Sequence, residues 1–451
     1  MLNNLKRKVY TLFKQADIKD LLKGGSKVFF IRILGLVLGY LFTLIITRTM
    51  GSEDWGEFTL TFIVLQLFSI LTRLGFDLAG LRFFSIFFSN REMGKVKDLY
   101  KKILIGMIMS SIIGTIMIVL SANVISEYLF NKPNLKDSIV VIGFGILPFN
   151  LILLHGELLR SIRKIIHYAL LVFCVQYLLS IIILIAVQYS LIVLPNYGSS
   201  VTWVYLISIL ATSIMIIIIG LRNIDYFNVE ANHSLTYKTL FVTSLPMMIT
   251  NSTNLLMNWL STILVGYYLL EQDVGIYNVA FKLSMLTGLS LQAVNAVSAP
   301  KFAAYYGVGN YDGLEKVIHD STKLIFWISL PIILVFFIFP SFILGVFGEE
   351  FQVGVAVLII LTIGNFVNAI SGSVGYLLQM TGYEKVMRNI MFITLLLNTL
   401  LCLLLIPRLG IVGAAISSCC SNIFWNIIAV VVIKKKFNIL TIYIPFIKKI
   451  R

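Results

Sequence analysis

Charged side chains inside long apolar segments are the residues whose chemistry stands out in this chain. Arg32, Arg73, Asp77 and Lys282 each lie within such a segment. A charge at the centre of a bilayer costs roughly 2.5–3.5 kcal/mol on insertion scales, so a charge placed there usually marks a functional site. Three of the four residues are basic. An electropositive, partly desolvated cavity suits a phosphate-bearing ligand, because phosphate oxygens accept charge-assisted hydrogen bonds.

Each of these residues also has a structural interpretation. Arg32 can extend to the cytoplasmic headgroups, and Arg48, at the other end of the same segment, is mainly an interface anchor or an outer gate. Arg73 and Asp77 are spaced i, i+4 and can neutralise each other. Lys282 has no acidic residue within one turn in the sequence. We therefore predict that Arg32, Arg48, Arg73 and Lys282 bind substrate, with Asp77 as a charge partner.

Uncharged polar residues form a second candidate group. Asn251, Asn254 and Asn258 follow one another at spacings of three and four, which places them on one helical face. Gln292 and Asn295 lie in the next apolar segment. Such residues either join helices by hydrogen bonds or contact sugar hydroxyls in a wet cavity. We predict glycan contacts for these five, with the structural alternative left open.

The composition is that of an integral membrane protein. Hydrophobic residues make up 58% of the 451 positions and charged residues 13%, against about 45–50% and ~25% in soluble domains. Strand-like alternation is absent, so the prediction is an all-α fold. Apolar segments long enough to cross a bilayer predict twelve transmembrane helices, at 27–49, 57–80, 101–123, 137–160, 165–187, 201–220, 238–264, 274–298, 321–343, 353–378, 386–406 and 410–432.

An internal repeat divides these helices into two halves. The stretch "SEDWGEF" at 52–58 corresponds to "EQDVGIY" at 271–277, so that Asp54 matches Asp273 and Gly56 matches Gly275, 219 residues on in both cases. Halves of six helices have the same orientation, and a site between such halves is expected. The predicted organisation is a basic amphipathic segment (1–26), two six-helix bundles (27–220 and 237–432), a linker (221–236) and a basic tail (433–451).

The distribution of charge predicts topology and excludes several functions. Basic residues collect in the termini and in every second loop, so the positive-inside rule places both termini in the cytoplasm. The net charge of +15 therefore comes from basic residues at the edges of the membrane, and we predict no nucleic-acid partner. The chain has no phosphate-binding loop, dinucleotide fingerprint or HExxH motif. Scattered histidines and membrane-embedded cysteines predict neither a metal nor a cofactor.

Several motifs resemble one known family. The stretches "TRTMGSEDWGEFTLTF", "SLPMMITNSTNLLMNWLSTILVGYYLLEQDVGIYNVAFKLS" and "IPRLGIVGAAISS" are similar to the polysaccharide-transporter family of O-antigen (Wzx-type) flippases. The resemblance implies a fold like that of the MATE multidrug exporters, which belong to the same superfamily. It also implies basic cavity residues in helices 1, 2 and 8, matching Arg32, Arg48, Arg73 and Lys282 by helix. Ser261 and Thr262 stand where relatives often carry an Asp-Arg pair, so ion coupling at that point is in doubt.

The resemblance also implies a substrate and a location. The expected substrate is an oligosaccharide linked by pyrophosphate to undecaprenol, flipped across the bacterial cytoplasmic membrane by alternating access. A proton or sodium gradient is a candidate energy source, and other polysaccharide assembly proteins are candidate partners. Alternatives are a multidrug or lipid II exporter and, from another class, a membrane polysaccharide polymerase or ligase. The enzymes would need a large external loop, which this sequence lacks, so we predict a transporter.

Overall fold

The computed structural model describes residues 27–195, 197–222, 230–232, 235–443 and 445, without the side chains of Asn254 and Ala296. The predicted N-terminal segment 1–26 lies outside the described residues, as do most of the linker 221–236 and the end of the tail (446–451). Throughout the described ranges the chain forms helices and connecting turns and no β-strand. The all-α prediction is therefore confirmed.

Sixteen helices are numbered here along the described chain. The helices are α1 (Lys27–Thr49), α2 (Gly51–Arg73), α3 (Phe76–Ser89), α4 (Met93–Val124), α5 (Leu135–Gly143), α6 (Ile146–Ser161), α7 (Ile165–Gln188), α8 (Ser200–Arg222), α9 (Tyr237–Tyr268), α10 (Glu271–Met285), α11 (Leu289–Gly307), α12 (Tyr311–Ile338), α13 (Pro340–Gly345), α14 (Val355–Ser371), α15 (Val374–Met380) and α16 (Glu384–Phe437). A π-helical turn, Ile125–Leu129, continues α4, and another, Leu170–Val175, lies within α7. A 3₁₀ turn, Glu349–Gly354, precedes α14.

The number of membrane spans is compatible with the predicted twelve. Within the described residues, nine helical stretches are long and apolar enough to cross a membrane, or ten when the pair α5 and α6, bent by 44°, is counted as one span. The 54-residue α16 is counted once, although Gly410 (φ 59°, ψ −140°) divides it. Helix α9 is not among these stretches; its part Leu255–Tyr268 counts as a shorter apolar helix. The chain is a multi-pass membrane protein.

The described residues form two compact units. The first contains residues 27–45 and Thr61–Leu255, and the second contains Ile46–Leu60 and the described residues from 256 onward. The apolar core of the first unit includes Phe76, Ile103 and Leu158. That of the second includes Phe302, Leu377 and Ile433. The end of α1 and the start of α2 thus pack within the second unit, although their sequence belongs to the first repeat.

A backbone break between α2 and α3 positions two of the predicted site residues. Leu74 and Gly75 both have positive φ, at 52° and 72°. A Cβ atom at Gly75 would overlap the carbonyl oxygen of Ser244, so glycine satisfies both the conformation and the close approach. Arg73 is the last residue of α2, and Asp77 lies in the first turn of α3. The Asp77 carboxylate is favoured there by the partial positive charge of a helix N-terminus.

Asn150 is the centre of a buried hydrogen-bond network that joins α2, α4 and α6. Its side-chain oxygen accepts from the Ser69 hydroxyl at 2.7 Å. Its amide donates to the hydroxyls of Thr72 and Ser111, each at 2.9 Å. The Asn150 side chain is fully buried. Hydrogen bonds between membrane helices contribute on average about 0.6 kcal/mol each.

We expect Asn150→Leu to lower the free energy of unfolding by about 2 kcal/mol, because three interhelical hydrogen bonds are lost. The thermal unfolding midpoint of the purified protein checks this. Asn123→Ala, at an exposed position on α4, is the control and should leave the midpoint unchanged. Equal midpoints for Asn150→Leu and Asn123→Ala would contradict a stabilising role for the network.

Candidate functional site

In the first unit, Arg73 and Asp77 form an ion pair across the α2–α3 break. The Arg73 Nη1 atom lies 2.7 Å from Asp77 Oδ2, and the two side chains are 14% and 8% exposed. Arg73 Nε also donates to the Ser69 carbonyl at 3.3 Å. The i, i+4 pairing that the sequence allows is therefore made. Asp77 offsets the charge of Arg73, so Arg73 does not by itself give this region an excess of positive charge.

Arg32 belongs to the same group of charges. Its guanidinium lies 4.9 Å from the centre of the Phe173 ring, and its charge interacts with Tyr168. Glu157, which is paired with Arg160 at 3.3 Å, interacts electrostatically with Arg73 and Asp77.

The cluster contains the guanidinium groups of Arg32, Arg73 and Arg160 and the carboxylates of Asp77 and Glu157, which leaves one net positive charge. Arg73 is paired with Asp77 and Arg160 with Glu157. The interior of the first unit is therefore less electropositive than the sequence predicts.

We expect Arg73→Gln to destabilise the protein by roughly 3 kcal/mol, because it leaves the Asp77 carboxylate buried without its counter-charge. The double variant Arg73→Gln/Asp77→Asn should recover most of this stability, since both charges are removed. Thermal unfolding measures the first effect, and lipid translocation in proteoliposomes measures whether Arg73 also binds substrate. A single variant as stable as the wild type would contradict the structural effect. Wild-type transport by the double variant would remove Arg73 from the site.

In the second unit, Lys282 on α10 is held over an aromatic ring. Its Nζ atom lies 4.3 Å from the centre of the Trp55 ring, and Trp55 is 1% exposed. Asn278, one turn earlier on the same face of α10, is buried, and both atoms of its amide lack a hydrogen-bond partner among the described residues. A half-buried cation beside an unsatisfied buried amide forms a polar patch with the chemistry to bind an anion.

Arg48 also lies in the second unit, where it binds backbone carbonyls. Its Nε atom donates to the Val346 carbonyl at 2.6 Å and its Nη2 atom to the Gly345 carbonyl at 2.9 Å. These carbonyls lie at the C-terminal end of α13, where a cation satisfies unpaired acceptors and the helix dipole. The contacts fit the anchor interpretation of Arg48. Binding of a phosphate by Arg48 would require these two hydrogen bonds to be replaced.

A polar chamber with a volume of about 250 Å³ lies inside the second unit. Of the predicted glycan-contacting residues, Asn258 lines it. Asn251 belongs to the first unit, Gln292 is exposed and Asn295 is 3% exposed; the side chain of Asn254 lies outside the described atoms. The wall also includes further asparagines from α14 and α16: Asn365, Asn368, Asn398 and Asn422.

The spacing of polar residues in α16 is a sequence pattern from which part of this chamber could have been predicted. Ser418, Ser421, Asn422 and Trp425 line the chamber, and their spacings of three, one and three place them on one helical face. Such a polar stripe in an apolar span is expected either to join helices or to line a wet cavity. Asn398 stands alone in the run "LLLNTLL" and carries no comparable signal.

Comparison with known proteins assigns the family. A family model described as "Polysaccharide biosynthesis protein" matches residues 45–356, which is more than half of the chain. The chain belongs to this family. The predicted relationship to a polysaccharide-related family is confirmed.

Two curated relatives are similar over part of their length. Agl15 of Haloferax volcanii, named as a low-salt glycan biosynthesis flippase, is 28% identical over 165 residues, covering 36% of this chain and 35% of the relative. A protein of Shigella flexneri named as an O-antigen transporter is 24% identical over 184 residues, covering 40% of this chain and 43% of the relative. The chain thus matches less than half of the length of these two relatives.

Two solved structures share the fold across nearly the whole chain. A multidrug resistance transporter of the MATE family, in an inward-facing conformation, has a TM-score of 0.72 at 15% identity, covering 91% of this chain and 98% of its own. The lipid II flippase MurJ, in an inward closed conformation, has a TM-score of 0.67 at 17% identity, covering 92% and 89%. At such identities the similarity establishes the fold, and the predicted MATE-like architecture is confirmed.

Proposed function

We propose that this protein is a flippase for lipid-linked oligosaccharide in surface polysaccharide biosynthesis. The proposed substrate is an oligosaccharide joined through pyrophosphate to undecaprenol, moved from the cytoplasmic to the outer leaflet by alternating access. The single observation that carries the proposal is the half-buried cation of Lys282, held over Trp55 beside the unsatisfied amide of Asn278. The flippase and transporter names of the two curated relatives support the same function.

The charges favour an anionic substrate over a cationic drug. Lys282 contributes a cation in the second unit, and the cluster around Arg32 contributes one net positive charge in the first. A binding site for cationic drugs would instead place carboxylates at such positions. A pyrophosphate group carries several oxygens that accept charge-assisted hydrogen bonds, and these bonds are roughly twice as strong as those between neutral groups.

The proposed location and energy source follow from the sequence. Both termini are placed in the cytoplasm, and the membrane is the bacterial cytoplasmic membrane, as the positive-inside rule and the family resemblance suggest. A proton or sodium gradient is the proposed driving force, because the sequence contains no nucleotide-binding motif. Enzymes and membrane proteins that assemble the glycan are the proposed functional partners.

Lipid extraction from a deletion strain tests the proposed function. Loss of the flippase should cause prenyl-pyrophosphate-linked oligosaccharide to accumulate, and expression of the wild-type chain should return the pool to its normal level. A strain carrying an unrelated exporter gene on the same vector is the control. An unchanged lipid pool together with new sensitivity to drugs would contradict the proposal and favour a multidrug exporter.

A further inference from the structure

The walls of the chamber inside the second unit combine uncharged polar groups with apolar side chains such as Phe281, Leu361 and Met391. Helices α9, α10, α14 and α16 supply these walls, and none of the described lining residues carries a charge. The absence of carboxylates and basic groups from this wall disfavours both a metal cation and a pyrophosphate as its ligand, because each is bound most strongly by opposite charge. The chamber is therefore chemically different from the cationic residues assigned above.

Hydrogen bonds fix the orientation of several amides around the chamber. The Asn422 amide donates to the side-chain oxygen of Asn365 at 3.3 Å, and the Asn365 amide donates to the Ser284 carbonyl at 3.0 Å. The Trp425 indole donates to the side-chain oxygen of Asn422 at 2.7 Å. These contacts hold polar groups of α14 and α16 in defined positions, as a preorganised binding site requires.

Two polar atoms of the chamber wall have no hydrogen-bond partner within the described part of the chain. They are the side-chain oxygen of Asn368 and the hydroxyl of Ser421, and the Ser421 residue is 5% exposed. Buried polar atoms nearly always bond to protein, ordered water or ligand. Both atoms have almost no accessible surface in this structure, so their side chains would turn toward a polar occupant to bond to it.

The size and chemistry of the chamber indicate what this occupant is. Its volume of about 250 Å³ is below the roughly 300–1,000 Å³ of pockets for drug-sized ligands, so it fits a single ring. Amides and hydroxyls both donate and accept hydrogen bonds, which matches the hydroxyl groups of a sugar. Trp425 adds an aromatic surface for the apolar face of a pyranose.

We propose that this chamber is a subsite for one uncharged sugar residue. The inference rests on the proposed function for the identity of the larger molecule that carries the sugar. It adds a recognition element for the glycan, separate from the cationic residues proposed for the pyrophosphate. Asn368 and Ser421 are the specificity-determining residues, because their unsatisfied atoms would bond to the sugar.

Saturation-transfer NMR on the full-length protein in lipid nanodiscs tests the subsite. The probes are the methyl glycosides of glucose, galactose and N-acetylglucosamine, in the absence of sugar-based detergent. The test variant is Asn368→Leu/Ser421→Ala, which removes the amide of Asn368 and the hydroxyl of Ser421. The side-chain oxygen of Asn368 and the hydroxyl of Ser421 make no bond within the described protein, so folding should stay intact. Ser417→Ala is the matched control, because Ser417 lies one turn before Ser421 in α16 and its hydroxyl donates to the Gly413 carbonyl of its own helix at 2.8 Å.

The wild type and Ser417→Ala should give saturable signals with at least one glycoside, and the double variant should bind that glycoside about tenfold more weakly. A wild-type protein that gives no saturable signal with any of the three would overturn the subsite, as would an unchanged affinity in the double variant. Prenyl pyrophosphate binding, measured on the same samples, should be equal in all three proteins. If the sugar binds but prenyl pyrophosphate does not, the flippase proposal fails while the subsite stands.

Discussion

Replacing Lys282 with methionine should reduce the rate of lipid-linked oligosaccharide transport by about 100-fold, because a charge-assisted contact to a phosphate contributes up to about 3 kcal/mol. In the structure, Lys282 provides a half-buried cation in the second unit, 4.3 Å from the ring of Trp55. Methionine keeps the approximate length of the side chain and removes its ammonium group. The measurement is the initial rate of translocation in proteoliposomes.

The same substitution should leave folding intact. Replacing a buried charged group with an apolar group of similar volume is often neutral or stabilising, because the cost of desolvating the charge disappears. The lost contact with Trp55 is worth about 0.5–2 kcal/mol, which partly offsets this gain. The thermal unfolding midpoint of Lys282→Met should therefore lie close to that of the wild type.

Lys282→Arg is the matched control for the charge. It keeps a cation over the Trp55 ring, so it should retain a substantial part of the transport rate. A well-folded Lys282→Met protein that transports at the wild-type rate would remove Lys282 from the substrate site. An inactive Lys282→Met protein whose midpoint also falls sharply would indicate that the lysine is structural.

Replacing Gly56 with leucine should produce the largest loss of stability. Gly56 on α2 and Gly275 on α10 are the glycines matched by the internal repeat, and both lie in the second unit. A Cβ atom at Gly56 would overlap the carbonyl oxygen of Glu271, and one at Gly275 would overlap that of Ser52. The backbones of the two helices therefore touch reciprocally, and neither can move aside as a flexible side chain would.

Overpacking of this kind typically costs about 1–3 kcal/mol, and more where backbone must shift. We expect Gly56→Leu and Gly275→Leu each to lower the free energy of unfolding by about 3 kcal/mol or more. The yield of folded protein and its thermal unfolding midpoint measure the effect. Gly307→Ala is the control, because nothing lies within 4 Å of a Cβ at Gly307. Equal unfolding midpoints for Gly56→Leu and Gly307→Ala would contradict this prediction, because they would show that α2 and α10 can move apart at little cost in free energy.

Much of the helical framework could be predicted from the sequence because membrane helices carry strong apolar signals. The span predicted at 165–187 is observed as Ile165–Gln188, and that at 201–220 as Ser200–Arg222. The predicted span 57–80 instead crosses the break at Leu74 and Gly75. The requirement for glycine there comes from the Ser244 carbonyl, a contact between distant parts of the sequence that apolar periodicity does not report.

The candidate site could be predicted only in part, for a similar reason. The pairing of Arg73 with Asp77 was visible as i, i+4 spacing, whereas the contact of Lys282 with Trp55 joins residues far apart in the chain. Arg48 donates to carbonyls almost 300 residues away. The chamber as a unit was not predicted, because its asparagines come from several helices, each with a weak local signal.

The proposed mechanism depends on recognition of the pyrophosphate, and a comparison of two lipids in proteoliposomes tests this most directly. One lipid carries its oligosaccharide, isolated from the deletion strain, on prenyl pyrophosphate. The other carries the same oligosaccharide on an uncharged prenyl alcohol. The wild type should translocate the pyrophosphate lipid at least about tenfold faster, and Lys282→Met should lose that preference. Equal translocation of the two lipids by the wild type would contradict a flippase that selects its substrate through pyrophosphate.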